Sequence, residues 1–490
     1  MAGGMPAEFN TISICDGLSI GHEGMRYVLP SREIICDSVE LTVQAHRYDA
    51  LVLIGSCDKI LPALLMAAAR LDLPAIVVAG GPMYAGYIPQ IGMRWGEAAQ
   101  DELAARFQRG EFTGDSIEEG AKCFYPCAGA CSGMGTANTM ACLTEAVGMS
   151  LPGDGTAHAT TAKKERLAVE AGIAVMALLE QDLRPSTIMT ESALDNMLRV
   201  NMAIGGSLNT VLHLPAIAHE LGRTLAWERF DSISRETPHL CCIEPSGPAT
   251  LAELEAAGGI PAVMQRLGSK LDPDCITVTG RSVGENVAAA EIFDEEVIRS
   301  VDDPVHAYGG IAVLQGSLAP AGAVIKQVAV DESLWKFEGP AKVFDSEEEA
   351  TEAVFAKGIE PGDVVVIRYE GPKGGPGMRE MQMFRALLKF GGLDNQVYLI
   401  TDGRFSGYTG GACIGYLSPE AAEGGPLALI RDGDVIAIDV EARKLDLKLD
   451  DDELEKRAKE WKRPSPRVTS GYLARYAERA TSAATGAIVR

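Results

Sequence analysis

Three of the more reactive side chains a protein can offer stand side by side in "IGSCDKILP": the thiol of Cys57, the carboxylate of Asp58 and the amine of Lys59. They follow the apolar run "ALVLI" and precede "LPALLMAAARL", which has the texture of a helix. That pattern predicts a buried strand turning into a helix, and open α/β sheets gather ligands at the carboxyl ends of their strands. A second cluster, "CFYPCAGACSGMGTANTM", spaces Cys123, Cys127 and Cys131 four apart. An unbroken helix would stack those thiols on one face, but Pro126 and the glycines point to a loop, with a helix opening near Thr136. Zinc sites usually bring paired CxxC halves, which are absent here. Three loop thiols with a remote Cys57 are compatible with an iron–sulfur cluster, which needs thiolates without fixed pairing. Three structural cysteines account for the spacing equally well.

Three further stretches carry candidate chemistry. "NTISICDGLSIGHEG" ends an apolar run at Asp16, where the plain reading is an exposed Asx-turn before glycine. "YEGPKGGPGMREM" is rich enough in glycine to let backbone approach a ligand closely, and it ends in Arg379 and Glu380. "ITDGRFSGYTGG" sets Ser406 and Thr409 just after the apolar run "VYLI". It is not a GxSxG nucleophile elbow, and no histidine and carboxylate are spaced to suggest a serine-hydrolase triad.

The elements that must position these groups fall into two textures. From about residue 10 to 230 short apolar runs alternate with helix-period segments, the mark of an α/β domain with a largely parallel sheet. After about residue 310, β-branched runs split by Gly, Pro and Asp predict a β-rich, barrel-like domain. The expected division is 1–305 for the α/β domain holding the cysteine and Asp58–Lys59 clusters, and 306–490 for the β-rich domain holding the Ser406 loop. A chain of 490 residues exceeds one ordinary core, so two domains are also the expectation from length. The net charge of −24 excludes a nucleic-acid partner, because nothing could neutralise a run of phosphates. No signal peptide and no membrane-length apolar run is visible. The eleven cysteines fit a reducing cytoplasm, with Cys36 and Cys142 read as buried structural thiols.

Taken together, "EFNTISICDGLSIGHEGMRYVLPSREIICDSVE", "GSCDKILP", "CSGMGTANTMACLTEAVGMSLPG", "AIGGSLNTVLHLPAIAHELG", "GGPGMREM" and "TDGRFSGYTGG" resemble the dihydroxy-acid and sugar-acid dehydratases, from about residue 6 to the final "SAATGAIV". The resemblance implies a hydro-lyase: a 2,3-dihydroxy acid loses its C2 proton and C3 hydroxyl, and the enol becomes a 2-oxo acid. It implies an iron–sulfur cluster, [2Fe–2S] or [4Fe–4S], with one iron free of cysteine acting as Lewis acid, and a neighbouring Mg²⁺ holding the substrate carboxylate and C2 hydroxyl. By matching motif to motif it implies Cys57 and Cys131 as cluster ligands, and Asp16, Asp58 and Glu380 as Mg²⁺ carboxylates. Lys59 matches a lysine carbamylated by CO₂, Ser406 the base, and Thr409 a residue able to orient it. Cys123 and Cys127 match no ligand. The implied substrate is 2,3-dihydroxy-3-methylbutanoate, converted to 3-methyl-2-oxobutanoate in branched-chain amino-acid biosynthesis, with an aldonate as the alternative. The implied assembly is a homodimer or a dimer of dimers.

Departures from the family pattern sharpen the expectations. The family's first cluster cysteine belongs to a "PCN"-type motif that would lie upstream of Met1, so the chain reads as lacking an N-terminal arm. Cys15, beside Asp16, is the candidate replacement ligand, with a buried structural thiol as the plainer alternative. A cluster-free, inactive relative is the competing reading, and a zinc hydrolase using Cys57 and the Cys123–Cys131 group is a third. Tyr408, Gly410 and Tyr416 stand where branched-chain enzymes tend to carry Gly, Ser and His, and Leu208 replaces a more usual Thr. Bulkier walls there would alter which substrates fit.

Overall fold

The computed structural model describes residues 2–490 apart from 97, 98, 101, 104, 105, 107, 108, 112–117 and 119. The chain forms two compact units, each assembled from three segments. One comprises Met1–Thr11, Cys36–Ser207 and Glu236–Gly309; the other comprises Ile12–Ile35, Leu208–Arg235 and Gly310–Arg490. Among the described residues, no helix is long and apolar enough to cross a membrane.

The first unit is α/β with a small parallel sheet. Strand β1 (Leu51–Gly55) pairs in parallel with β2 (Ala75–Ala79), Leu51 opposite Ala75 and Gly55 opposite Ala79. The crossover is the helix Ile60–Leu71, whose "ILPALLMAAARL" is apolar on nearly every face and buried on nearly every face. β2 is buried throughout, as a continuous apolar run in a parallel sheet should be. β1 differs from the buried strand that "ALVLI" suggests: Leu51 and Leu53 are buried, whereas Val52 and Ile54 face outward. Alternation puts Val52 and Ile54 on the opposite face of the strand from Leu51 and Leu53, and that face is left uncovered. The short antiparallel pair β3 (Tyr87–Ile88) and β4 (Met93–Arg94) follows. The helix Thr136–Ala146 begins where the CSGMG glycines end and is buried along its whole length.

The second unit holds an eight-stranded, barrel-like sheet, all of whose strands lie after residue 310. Its strands are β5 (Ala312–Leu314), β6 (Gly322–Ile325), β7 (Lys336–Phe344), β8 (Val364–Ile367), β9 (Tyr398–Thr401), β10 (Cys413–Ser418), β11 (Val435–Asp439) and β12 (Lys444–Leu447). They lie in the order β12-β11-β7-β8-β9-β10-β6-β5. The four central strands β7 to β10 run parallel, and the flanking pairs are antiparallel. Gln315, just past β5, bridges to Lys444 at the start of β12, so the two edges of the sheet meet. Gln315 N–H donates to Arg443 O at 3.0 Å and Leu445 N–H to Gln315 O at 3.1 Å. Closure removes the exposed edges that a strongly twisted open sheet would present. Alternate residues from all eight strands, among them Leu314, Ile325, Val366, Ile400, Ile436 and Leu445, form one buried cluster, which is the filled barrel interior. β7 pairs with β11 up to Pro340 and with β8 from Ala341 onward, so the residue without an N–H sits at the handover.

This architecture makes two isoleucines of identical chemistry very unequal. Ile400→Ala, in the barrel interior, should lower stability by about 2–5 kcal/mol in denaturant unfolding, and Ile54→Ala on the open edge by less than about 0.5 kcal/mol. Equal losses would contradict the assigned burial.

Candidate active site

In the first unit the reactive triplet sits where β1 ends. Cys57 is half-buried and takes a backbone φ of +77°, a left-handed conformation unusual for a residue with a side chain. Strain of this kind persists only where the surroundings fix it, and it clusters at functional sites. Lys59 is fully buried at the start of the helix Ile60–Leu71, with its ammonium 3.4 Å from Asp58 Oδ2. The turn is packed against the end of β2: Gly80 N–H donates to Gly55 O at 2.7 Å, and a Cβ on Gly80 would stand 2.8 Å from that of Ser56.

Cys131 reaches the same end of the parallel pair by another route. Ala130 N–H donates to Gly81 O at 2.9 Å and Ala130 O accepts from Met83 N–H at 2.8 Å, stitching the loop to the chain that leaves β2. Asn138, in the first turn of the helix Thr136–Ala146, donates to the carbonyls of Cys131 and Gly133. The Cys131 thiol is exposed on this braced loop. Cys127 instead accepts the Tyr84 N–H at 3.4 Å, and Cys123 is half-buried. No disulfide joins the eleven cysteines. Burial pushes the thiols of Cys142, Cys241 and Cys275 up, and that of Cys413 to about 12, which keeps these four as inert thiols.

The second unit gathers the other predicted residues around a buried arginine. Asp16 opens the helical turn Asp16–Ser19 and is buried, contrary to the exposed Asx-turn its sequence suggests. Cys15 precedes it, exposed, with its carbonyl accepting from Ser19 Oγ at 3.3 Å. Glu380 follows β8 and Arg404 follows β9, and the two residues form a parallel bridge that prolongs the strand pairing. Arg404 is fully buried. Its Nη1 donates to Glu380 Oε2, its Nη2 lies 3.7 Å from Asp16 Oδ2, and its Nε donates to Met378 O at 2.8 Å. Nη1 also reaches Asn209 Oδ1 at 3.5 Å. Two carboxylates that would repel one another are therefore held on one guanidinium.

Ser406, two residues after this arginine, is half-buried, and its Oγ accepts the Tyr408 N–H at 3.2 Å. The fully buried Lys326, at the end of β6, donates to Gly407 O at 2.9 Å. Thr409 donates its hydroxyl to Gln382 Oε1 at 2.8 Å, so it braces the loop against the helix Gln382–Phe390. Tyr416 is buried with its hydroxyl on protein acceptors, and Leu208 is buried as well.

The glycines before Glu380 serve packing against the protein itself. A Cβ at Gly377, whose φ is +92°, would stand 1.6 Å from Arg26 O. Two buried carboxylates hold the rest of that loop. Asp402 accepts the N–H groups of Tyr369, Glu370 and Ala421, and Glu420 accepts those of Lys373 and Gly374. Sequence reading missed Arg404, Asn209, Lys326, Asp402 and Glu420. Arg404 and Asn209 stand inside the motifs that carry the family resemblance, whereas Lys326 has no sequence signal.

Comparison with known proteins identifies the family. The model of the dihydroxy-acid/6-phosphogluconate dehydratase N-terminal domain matches residues 1–286, and that of the C-terminal domain matches residues 296–487. A dihydroxy-acid dehydratase of Desulfosudis oleivorans is 52% identical over 508 residues, covering 100% of this chain and 89% of the relative. Those of Methanosarcina barkeri and Moorella thermoacetica are each 52% identical, covering 100% of this chain and 88% and 89% of the relatives. The protein is a hydro-lyase. The chain belongs to the dihydroxy-acid/6-phosphogluconate dehydratase family.

The loop staples make stability depend on pH. Burial pushes Glu420 up to about 8, with the Asp402 charge adding to the rise, and pushes Asp402 to about 6, with the Glu370 charge adding to it. Glu145, also buried, is pushed up to about 7. The folded chain thus keeps protons that the unfolded chain releases, and stability is lost as pH rises through these values. The denaturant midpoint should fall between about pH 5.5 and 8.5, and less steeply in Glu420→Gln. A variant as steep as the parent would contradict this assignment.

Proposed function

We propose that this hydro-lyase removes water from a 2,3-dihydroxy carboxylic acid, and that its substrate is 2,3-dihydroxy-3-methylbutanoate, converted to 3-methyl-2-oxobutanoate. The C2 proton and the C3 hydroxyl leave together as water, and the enol left behind tautomerises to the 2-oxo acid. The observation that carries this reading is the pair of buried carboxylates, Asp16 and Glu380, held on one arginine two residues from Ser406.

The donor sets fit the groups that the family resemblance implies. Buried, anionic oxygen donors suit Mg²⁺, and Asp16, Asp58 and Glu380 are the proposed carboxylate ligands. Lys59, an amine buried beside Asp58, is the proposed carbamate, which would turn a cation into an oxygen donor. Cys57 and Cys131, thiols on braced loops at one end of a parallel strand pair, suit an iron–sulfur cluster. When bound, these groups supply Lewis acidity at the departing hydroxyl and at the C2 side of the substrate.

The remaining work falls to the chain's own residues. Ser406 Oγ takes the C2 proton, and the Tyr408 N–H that it accepts favours the deprotonated oxygen. Lys326 and Thr409 fix the backbone on which that serine stands. Since the family description spans 6-phosphogluconate dehydratases, a sugar acid is the second reading.

The test is iron and acid-labile sulfide per chain on anaerobically purified protein, with oxo-acid formation measured from the methylbutanoate and from an aldonate. Near-stoichiometric iron and sulfide with turnover of the methylbutanoate is the expected result. Turnover of the aldonate alone would move the substrate to the second reading, and absence of both iron and sulfide after reconstitution would overturn the proposal. Iron should be lost in Cys57→Ser and Cys131→Ser, and Cys15→Ser decides whether Cys15 joins them.

A further inference from the structure

Three buried side chains line up behind the carboxylate pair. Arg404 donates from Nη1 to Glu380 Oε2, and its Nη2, which donates to Met25 Sδ at 3.3 Å, is ion-paired with Asp16 Oδ2 at 3.7 Å. Asn209, fully buried, turns Oδ1 toward Arg404 Nη1 at 3.5 Å. The hydroxyl of Tyr416, also fully buried, lies 3.1 Å from that same Oδ1 and 3.0 Å from Phe405 O, one O–H shared between two acceptors. Tyr416 does this from a strained position. Its φ is +60°, and it stands within β10 where the register against β6 shifts between Gly415 and Ser418. A tyrosine held in the left-handed region by a strand irregularity is a conformation that its surroundings must over-determine. Its N–H is used as well, donating to Gly403 O at 2.8 Å, one residue before Arg404.

We propose that Arg404 is the positioning residue of the Asp16–Glu380 pair, and that Tyr416, through Asn209 and the backbone at residues 403 and 405, sets its position. This inference rests on the reading of those carboxylates as ligands of a divalent cation. Fixing the guanidinium fixes how the two carboxylates are presented to the cation. Groups that orient ligating carboxylates from behind are worth 10- to 100-fold in metal affinity. Tyr416 thereby acts on the metal site without contacting it.

The experiment is Mn²⁺ titration of the full chain by calorimetry or electron paramagnetic resonance, with circular dichroism and thermal unfolding on each sample. Tyr416→Phe removes a single oxygen and should weaken Mn²⁺ binding about tenfold while the circular dichroism spectrum stays that of the parent. Tyr398→Phe is the matched control. That tyrosine is equally buried in the barrel, but its hydroxyl donates to Leu334 O at 2.7 Å, and its loss should leave Mn²⁺ affinity unchanged. Glu380→Gln separates the two levels of inference. Loss of Mn²⁺ binding in Glu380→Gln together with parental affinity in Tyr416→Phe would overturn the positioning role alone. Parental Mn²⁺ affinity in Glu380→Gln, or no binding by the parent, would overturn the metal reading and the positioning role with it. Equal weakening in Tyr398→Phe and Tyr416→Phe would reduce the effect to barrel stability and overturn the proposal.

Discussion

A guanidinium buried between two carboxylates is the contact on which the second unit's site depends. Burying one carboxylate is costly, and burying two close together is more so, because neither water nor a partner screens their repulsion. Arg404 cancels part of that charge, donating to Glu380 and standing 3.7 Å from Asp16, while the other donors of its fork anchor it on Met378 O and Met25 Sδ. A lysine could supply the charge but not the fork. Removing the arginine from such a cluster would leave uncompensated buried anions, so the loops around it are committed to one arrangement.

Those loops are delivered by a single rule of α/β architecture used twice. Glu380 and Arg404 follow β8 and β9, neighbouring parallel strands of the barrel, and Cys57 and the Cys131 loop lie at the carboxyl end of β1 and β2. Parallel strands bring their carboxyl ends to one edge, so residues far apart in sequence meet. What the strands do not fix, buried carboxylates do. Asp402 and Glu420 accept five backbone N–H groups between them and hold the glycine-rich segment that leads to Glu380. The same burial that makes these staples effective pushes their titration toward neutral pH.

Much of this was legible in the residues. β-branched runs separated by Gly, Pro and Asp announced the barrel, and the helix at Thr136 followed from the end of the CSGMG glycines. The carboxyl-end position of Cys57–Lys59 could be read from "ALVLI" before an apolar helix. Other features depend on partners that sequence order hides. Val52 and Ile54 face outward because one face of β1 is left uncovered, which no property of "LVLIG" reveals. Asp16 reads as an exposed turn until Arg404, almost four hundred residues away, is brought beside it. The glycines of "GPKGGPG" suggest a ligand loop, yet their crowding comes from the chain itself at Arg26 and Glu420. Lys326 is one lysine among many by sequence, and only its burial against Gly407 marks it.

The central claim is that Ser406 removes the C2 hydrogen of a dihydroxy acid, and the fate of that hydrogen tests it most directly. The measurement is release of deuterium to solvent from 2-deuterated 2,3-dihydroxy-3-methylbutanoate, alongside the 2-oxo acid formed, by the holoenzyme and by Ser406→Ala. The account predicts one deuterium released for each oxo acid formed by the parent, and a rate lower by about a thousandfold in the variant. Oxo-acid formation by Ser406→Ala at the parent's rate would contradict it.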